Sequence, residues 1–270
     1  MYLSDADNAF FEIFDAIENK QYSDIVLDFN NIKAIFADVM IPICAIVRKY
    51  QERDVLFDIR IDKSSRLWRN FINANWAYLI NKNFAPSKYR GFSQHPATVF
   101  NDDTTLIETI SSILDCILKT TTEITRGDLA VIEWSLAEIM ENSLRHSASS
   151  LGGIIQVSKF NNMKKHIEIV IADSGVGIPY TLRENPEYAK KQDFELVQLC
   201  VNEGVTRGNG GMGNGLFGAF TTSIKSGGNF SIRSLHGYMS SYISKNGRVL
   251  NIKNKKIFKS TLNCIMLVSL

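Results

Sequence analysis

DSGVGIP, at residues 173 to 179, follows an apolar run that includes Ile167, Ile169, Val170 and Ile171, and sets a carboxylate ahead of two glycines one residue apart. An unpaired charge at the end of a buried strand is costly, so Asp173 calls for a partner. At the floor of a pocket it would accept a hydrogen bond from an exocyclic amine such as that of adenine. Gly175 and Gly177 would let a flat ring approach the backbone, with Ile178 and Pro179 as an apolar wall. The plainer alternative is an Asp-Ser-Gly turn between strands.

Two other stretches fit the same ligand. Glu138, Asn142 and His146 are spaced four apart in RGDLAVIEWSLAEIMENSLRHS (126–147), so on a helix their side chains fall within an arc of about 80°. They form a polar stripe on a helix whose Leu129, Ile132, Leu136, Ile139 and Met140 ask for burial. Magnesium with phosphate oxygens would satisfy a buried Asn, and Glu138, one turn away, would polarise an attacking water or hydroxyl. A solvated face with a helix-terminal His is the alternative. In GNGGMGNGLFGAF (208–220), Gly211, Gly213 and Gly215 run into an apolar helix, and bare amides at a helix N-terminus make an anion site suited to a triphosphate. A dinucleotide fold is excluded, because the segment before the glycines reads as helix and no acid follows; GxxxxGK[ST] is absent.

With 270 residues, 45% hydrophobic and 21% charged, the chain has the composition of one large or two modest globular domains. No apolar stretch approaches the roughly 20 residues that span a bilayer, and the N-terminus is acidic and amphipathic; the expected location is cytoplasmic. Cys44, Cys116, Cys200 and Cys264 lie far apart in apolar sequence and read as core thiols. The formal charge of +2 conceals an asymmetry: Gly204 to Leu270 holds nine Lys and Arg and no acid, leaving twenty-one Lys and Arg against twenty-eight Asp and Glu, net −7, in the preceding 203 residues. A polyanion partner such as nucleic acid is one reading. A hairpin over 245–260 with gatekeeping lysines is the better one, and the few interleaved aromatics rank nucleic acid last.

Residues 1–65 alternate helix (9–19), strand (24–29), helix (about 42–53, with Asp38 as a capping residue) and strand (56–61), an open α/β layer. Residues 66–101, rich in aromatics and punctuated by Pro86, Gly91 and Pro96, read as a junction whose tryptophans pack one domain on the other. From 102 to 270 come two helices, the second capped by Asp128, then strands at 153–160, 166–173, 228–235, 237–244 and 262–270 with helices near 193–203 and 215–226. The fold class is α+β, a two-layer sandwich with a mainly antiparallel sheet.

EIMENSLRH, DSGVGIP, GMGNGL and KSTLNCIMLVSL together resemble the nucleotide-binding fold (Bergerat-type, GHKL) shared by DNA gyrase, the ninety-kilodalton heat-shock chaperone, histidine kinases and mismatch-repair ATPases, over 102–270. The resemblance implies that ATP and magnesium bind here: Asn142 holding the metal, Asp173 reading the adenine amine, Gly175, Gly177 and Ile178 lining the base pocket, Gly211, Gly213, Gly215 and Leu216 closing on the phosphates, and Thr261 sharing a water network with Asp173. Ser260 stands where the family usually has Gly. Glu138 and His146 match the anti-sigma-factor serine kinases and the hydrolysing branch, not the sensor kinases, so Glu138 is the implied base; Ile178 to Gly210 is the implied mobile lid, with Arg207 reaching the terminal phosphate. Residues 1–65 resemble a STAS domain, which implies a docking surface for a regulatory protein. An ATPase, a Ser/Thr kinase and a non-catalytic ATP-gated module all remain open, as does homodimerisation.

Overall fold

The computed structural model describes residues 3–91, 94–120, 124–145, 147–160, 166–205, 215–225 and 227–268, with side chains described in these except at 3–8, 120 and 256–268. The chain is mixed α/β. Its first part comprises α1 (Leu3–Phe14), continued by a π turn (Asp15–Asn19), β1 (Asp24–Asp28), α2 (Ala37–Gln51), β2 (Leu56–Arg60), α3 (Arg66–Asn73) and α4 (Trp76–Ile80). There follow β3 (His95–Phe100), α5 (Asp103–Thr120), α6 (Arg126–Arg145), β4 (Gly153–Phe160), β5 (His166–Asp173), α7 (Ile178–Leu182), α8 (Asp193–Leu199), α9 (Gly215–Lys225), β6 (Asn229–Ser244) and β7 (Gly247–Val268). Among the described residues no helix is long and apolar enough to cross a membrane.

β3, β4, β5, β7 and β6 form, in that order, a five-stranded sheet in which every neighbouring pair is antiparallel. β4 and β5 occupy the residues expected of them. β3 does not: the sheet's edge strand comes from the end of the segment expected to be a junction, because Ala97 and Phe100 are fully buried, one on each face. The two strands expected at 228–235 and 237–244 are the single strand β6, which absorbs the break between them through register shifts around Leu235 and a left-handed backbone there, φ +51°. Beyond the sheet β6 and β7 continue as a ribbon from the Gly237–Asn254 pair to the turn after Ser244. Arg248 folds back from it and donates hydrogen bonds to the carbonyls of Ile224 (3.3 Å) and Gly228 (3.1 Å), at the C-terminal end of α9.

Two cores meet in β5. Ile167, Ile169 and Ile171 face Ile113, Leu136, Ile139 and Met140 of α5 and α6, while Val170 and Ala172 face the opposite core, built largely on α2. The expected two-layer sandwich therefore has helices on both faces. A strand buried on both faces reads as a continuous apolar run, which is how β5 reads. α2 is buried at eleven of its fifteen positions, as befits a helix apolar all round; the β1–β2 pair covers its other side through Ile25, Leu27, Phe57 and Ile59. The N-terminal unit thus shares one core with the back of the sheet. Trp76, 3% exposed, adds to this seam by donating its indole N–H to Gln156 Oε1 on β4 at 2.7 Å.

Caps differ from expectation by one role. At α6, Thr125 Oγ1 accepts from Asp128 N (3.1 Å) and Asp128 Oδ2 from Thr125 N (3.2 Å), a reciprocal pair in which Thr125 is the cap and Asp128 the third helical residue. α2 begins at Ala37, earlier than expected, and Asp38 accepts first-turn backbone N–H groups from inside the helix. Cys44, Cys116 and Cys200 are buried free thiols; the Cys264 side chain lies outside the described residues.

The seam also buries an acid. Glu168 points from β5 to the back face, 7% exposed, with Oε2 lacking a hydrogen-bond partner among the described residues. Burial first, and the negative charge of Asp38 second, push its pKa from 4.5 up to about 8. The folded chain therefore keeps a proton that the unfolded chain gives up above its own pKa, so this contribution is complete at acidic pH and is lost as pH rises through about 8. Glu168→Gln should raise unfolding free energy at pH 8 by about 2–4 kcal/mol and flatten its decline between pH 5 and 8, read by urea titration across that range. A variant that melts like wild type at both ends would remove the protonated carboxyl from the account.

Candidate functional site

Of the three expected stretches, α6 meets the end of β5 through Ser143 and meets the start of the described part of α9 through Glu138. Asp173 ends β5, 5% exposed, with its neighbours Ile169 and Ile171 directed toward α6. Its Oδ1 accepts from Gly175 N at 2.8 Å, an Asx turn. Its Oδ2 accepts from Ser143 Oγ at 3.4 Å, a hydroxyl that also reaches the carbonyl of Ile139 at 3.3 Å. The turn alternative and the buried-acid reading are both present in one carboxylate. Ser143 adjoins Asn142 on α6 and escaped the sequence reading; its signal was a serine on the apolar side of the stripe, where a buried hydroxyl needs an acceptor.

The glycines answer to the chain's own packing. A side chain at Gly175 would overlap the carbonyl oxygen of Ser147, to which Val176 N donates at 2.8 Å. Gly177 has φ +89°, and a Cβ there would sit 2.8 Å from Ser234 Oγ, which itself accepts from Ile178 N at 2.9 Å. Room for a flat ring is thus not what these two positions supply on their Cβ side; they let the loop lie against 147 and 234. Ile178 is half-buried against the helix-side core.

On α6, Glu138 and Asn142 are half-buried on the same stripe. α9 crosses α6 at two glycines. A Cβ on Gly215 would lie 2.6 Å from Glu138 Cβ and 2.9 Å from its Oε2, and one on Gly218 would overlap the Trp134 ring. Gly215, the first described residue of α9, lies beside the Glu138 carboxylate. Leu216 packs on the helix-side core. In β7, Thr261 is the register partner of Asp173 across the sheet, its side chain outside the described residues. His146, Arg207, Gly211 and Gly213 also lie outside them.

The segment expected as a lid is anchored for most of its length. Leu182, Leu196, Val197, Cys200 and Val201 are buried in the helix-side core. Asp193, 8% exposed, pairs with Arg183 and accepts His236 N of β6 at 3.0 Å. The remaining residues of the expected lid, 206–210, lie outside the described residues.

The far side of the Asp173 loop is held by α2. Lys49 Nζ donates to the Ser174 carbonyl at 2.9 Å and Arg48 to the Leu151 carbonyl at 3.2 Å. A cleft of about 410 Å³ opens there, lined by Lys49, Glu52, Ser149, Ser174, Gly175 and Tyr180 among others. Among the described residues there is no group of three or more His, Cys, Asp and Glu disposed to hold a metal.

No protein-family model matches the chain, and no curated protein matches it.

Gly175→Ala should lose about 1–3 kcal/mol of stability, because the methyl group has backbone in its way. Gly127→Ala, whose Cβ would meet only Thr125 Oγ1 at 3.7 Å in the first turn of α6, should be neutral or gain up to about 1 kcal/mol. Chemical denaturation of both separates packing from composition; equal stability of the two variants would contradict the close approach at Ser147.

Proposed function

We propose that the chain binds Mg-ATP over residues 102–270, on a GHKL-type fold, and hydrolyses it or phosphorylates a partner protein on Ser or Thr, coupling nucleotide state to partner binding. The observation that supports this reading is a pair of contacts made by one helix, α6: Glu138 against Gly215 of α9 and, five residues on, Ser143 with the Asp173 carboxylate at the end of β5. A base, an anion-binding helix start and a purine-reading acid are the parts such a reaction needs.

The donor set fits the ligand. Asp173 is a buried carboxylate, an acceptor of the kind an adenine amino group needs. Asn142 offers a neutral amide oxygen; magnesium keeps several waters and takes phosphate oxygens, so it asks little more of the protein. When bound, the ion would neutralise charge on the phosphates. The amides at the start of α9 would orient the same anion, and Glu138, held against Gly215, would accept the proton of the attacking water or hydroxyl. The shared core of α2 with the sheet, and the Lys49 bond to the Ser174 carbonyl, support a route by which the STAS-like N-terminal unit senses the site.

A binding-only switch is the second reading, favoured by the same Lys49 tie, which links the N-terminal unit to the Asp173 loop without engaging Glu138. Calorimetric titration of wild type should show ATP and ADP bound in preference to GTP, with Asp173→Asn lowering ATP affinity at least tenfold. Phosphate release or label transfer to a protein should fall by about 10²–10⁴-fold in Glu138→Gln, the range of a lost general base, with ATP affinity retained. Tight ATP binding with turnover far below about 1 s⁻¹ in wild type selects the switch, and absence of any nucleotide binding overturns both.

A further inference from the structure

β1 and β2 form a parallel sheet of only two strands. Leu56 N donates to the Ser23 carbonyl and Phe29 N to the Arg60 carbonyl. Bonding alternates along such a ladder, so Ile25 and Leu27 direct their backbone groups at β2, and Asp24, Val26 and Asp28 direct theirs away from it. None of those three amides meets another backbone group among the described residues. Ile25 and Leu27 pack inward, and the outer face carries Val26, 51% exposed, and Leu56, 66% exposed, among Asp24, Asp28, Asp58 and Arg60. Parallel strands are ordinarily covered on both faces. Here, among the described residues, one face and one edge stand open, without a proline, a bulge or a lysine to blunt β1.

We propose that the free edge of β1 accepts an extended segment of a partner protein, with Lys or Arg at two positions four apart and an apolar residue midway. Main-chain bonds to Asp24, Val26 and Asp28 would supply the affinity, and the side-chain row would supply the selection. Each cation lies opposite an aspartate, and the apolar residue opposite Val26. Arg60 offsets only Asp28, at 3.4 Å, so the face keeps an acidic excess at Asp24 and Asp58. A second copy of the chain does not suit this edge: antiparallel pairing of β1 with itself about Val26 sets Asp24 against Asp28 twice, and parallel pairing sets each aspartate on its twin.

The test uses the full chain and a fluorescein-labelled heptapeptide, Thr-Lys-Thr-Val-Thr-Lys-Thr, followed by fluorescence anisotropy at low salt. Binding should weaken at least tenfold when Glu replaces both Lys and when alternate peptide amides are N-methylated. It should weaken equally in Val26→Pro, whose lost N–H takes no part in the β1–β2 ladder. Asp24→Lys with Asp28→Lys should reverse the preference toward the Glu peptide, which holds even if the proline variant fails to fold. Equal affinity for both peptides, no binding of either, or concentration-dependent dimerisation abolished by Val26→Pro overturns the proposal, the last by naming a second copy as the occupant. Because the readout needs no nucleotide, and ATP titration of the charge-reversed variant should match wild type, failure at this edge is distinguishable from failure of the nucleotide site.

Discussion

Burial of β5 on both faces is the constraint from which the rest of the structure follows. Its odd-numbered isoleucines anchor the layer of α5 and α6, and its even-numbered residues anchor α2. A strand held so tightly fixes the position of whatever stands at its end, and Asp173 stands there. The carboxylate is positioned by two cores at once, and its loop is braced by Ser143 and Ser147 on one side and by Lys49 on the other.

This arrangement makes α2 more than a connection between two strands. It is apolar on nearly every side because it has sheet above and sheet below. Its last turns carry the cations Arg48 and Lys49, whose hydrogen bonds end on carbonyls of the 147–152 and 173–177 loops. Its first turn carries Asp38, whose negative charge adds to burial, the larger cause, in raising the pKa of Glu168. Both ends of one helix thus act on β5, one on its middle and one on the loop that follows it.

Periodicity carried much of this in advance. Strands β4 and β5 were legible because apolar runs bounded by turn signals admit few alternatives, and α6 because its stripe and its apolar face are both helical. What periodicity could not convey was which face of a doubly apolar element meets which neighbour. The sharing of β5 between two cores, the membership of β3 in the sheet and the merging of two expected strands into β6 are long-range outcomes that local sequence does not specify. In the candidate site, Asp173, Glu138 and Gly215 were legible as chemistry, whereas Ser143, Ser147 and Ser234 were not, since a serine declares its role only once its acceptor or donor is placed. The glycines at 175 and 177 were legible as necessary, and on their Cβ side the need is close packing against residues 147 and 234.

Arg248 gives the molecule a property of a different kind. By clasping the trailing carbonyls of α9 it joins the protruding ribbon to a helix whose leading residue abuts Glu138. An α-helix of eleven residues is a rod of about 16 Å that resists compression and bending over that length. A displacement of the hairpin would therefore be carried along the rod axis toward the residue that abuts Glu138.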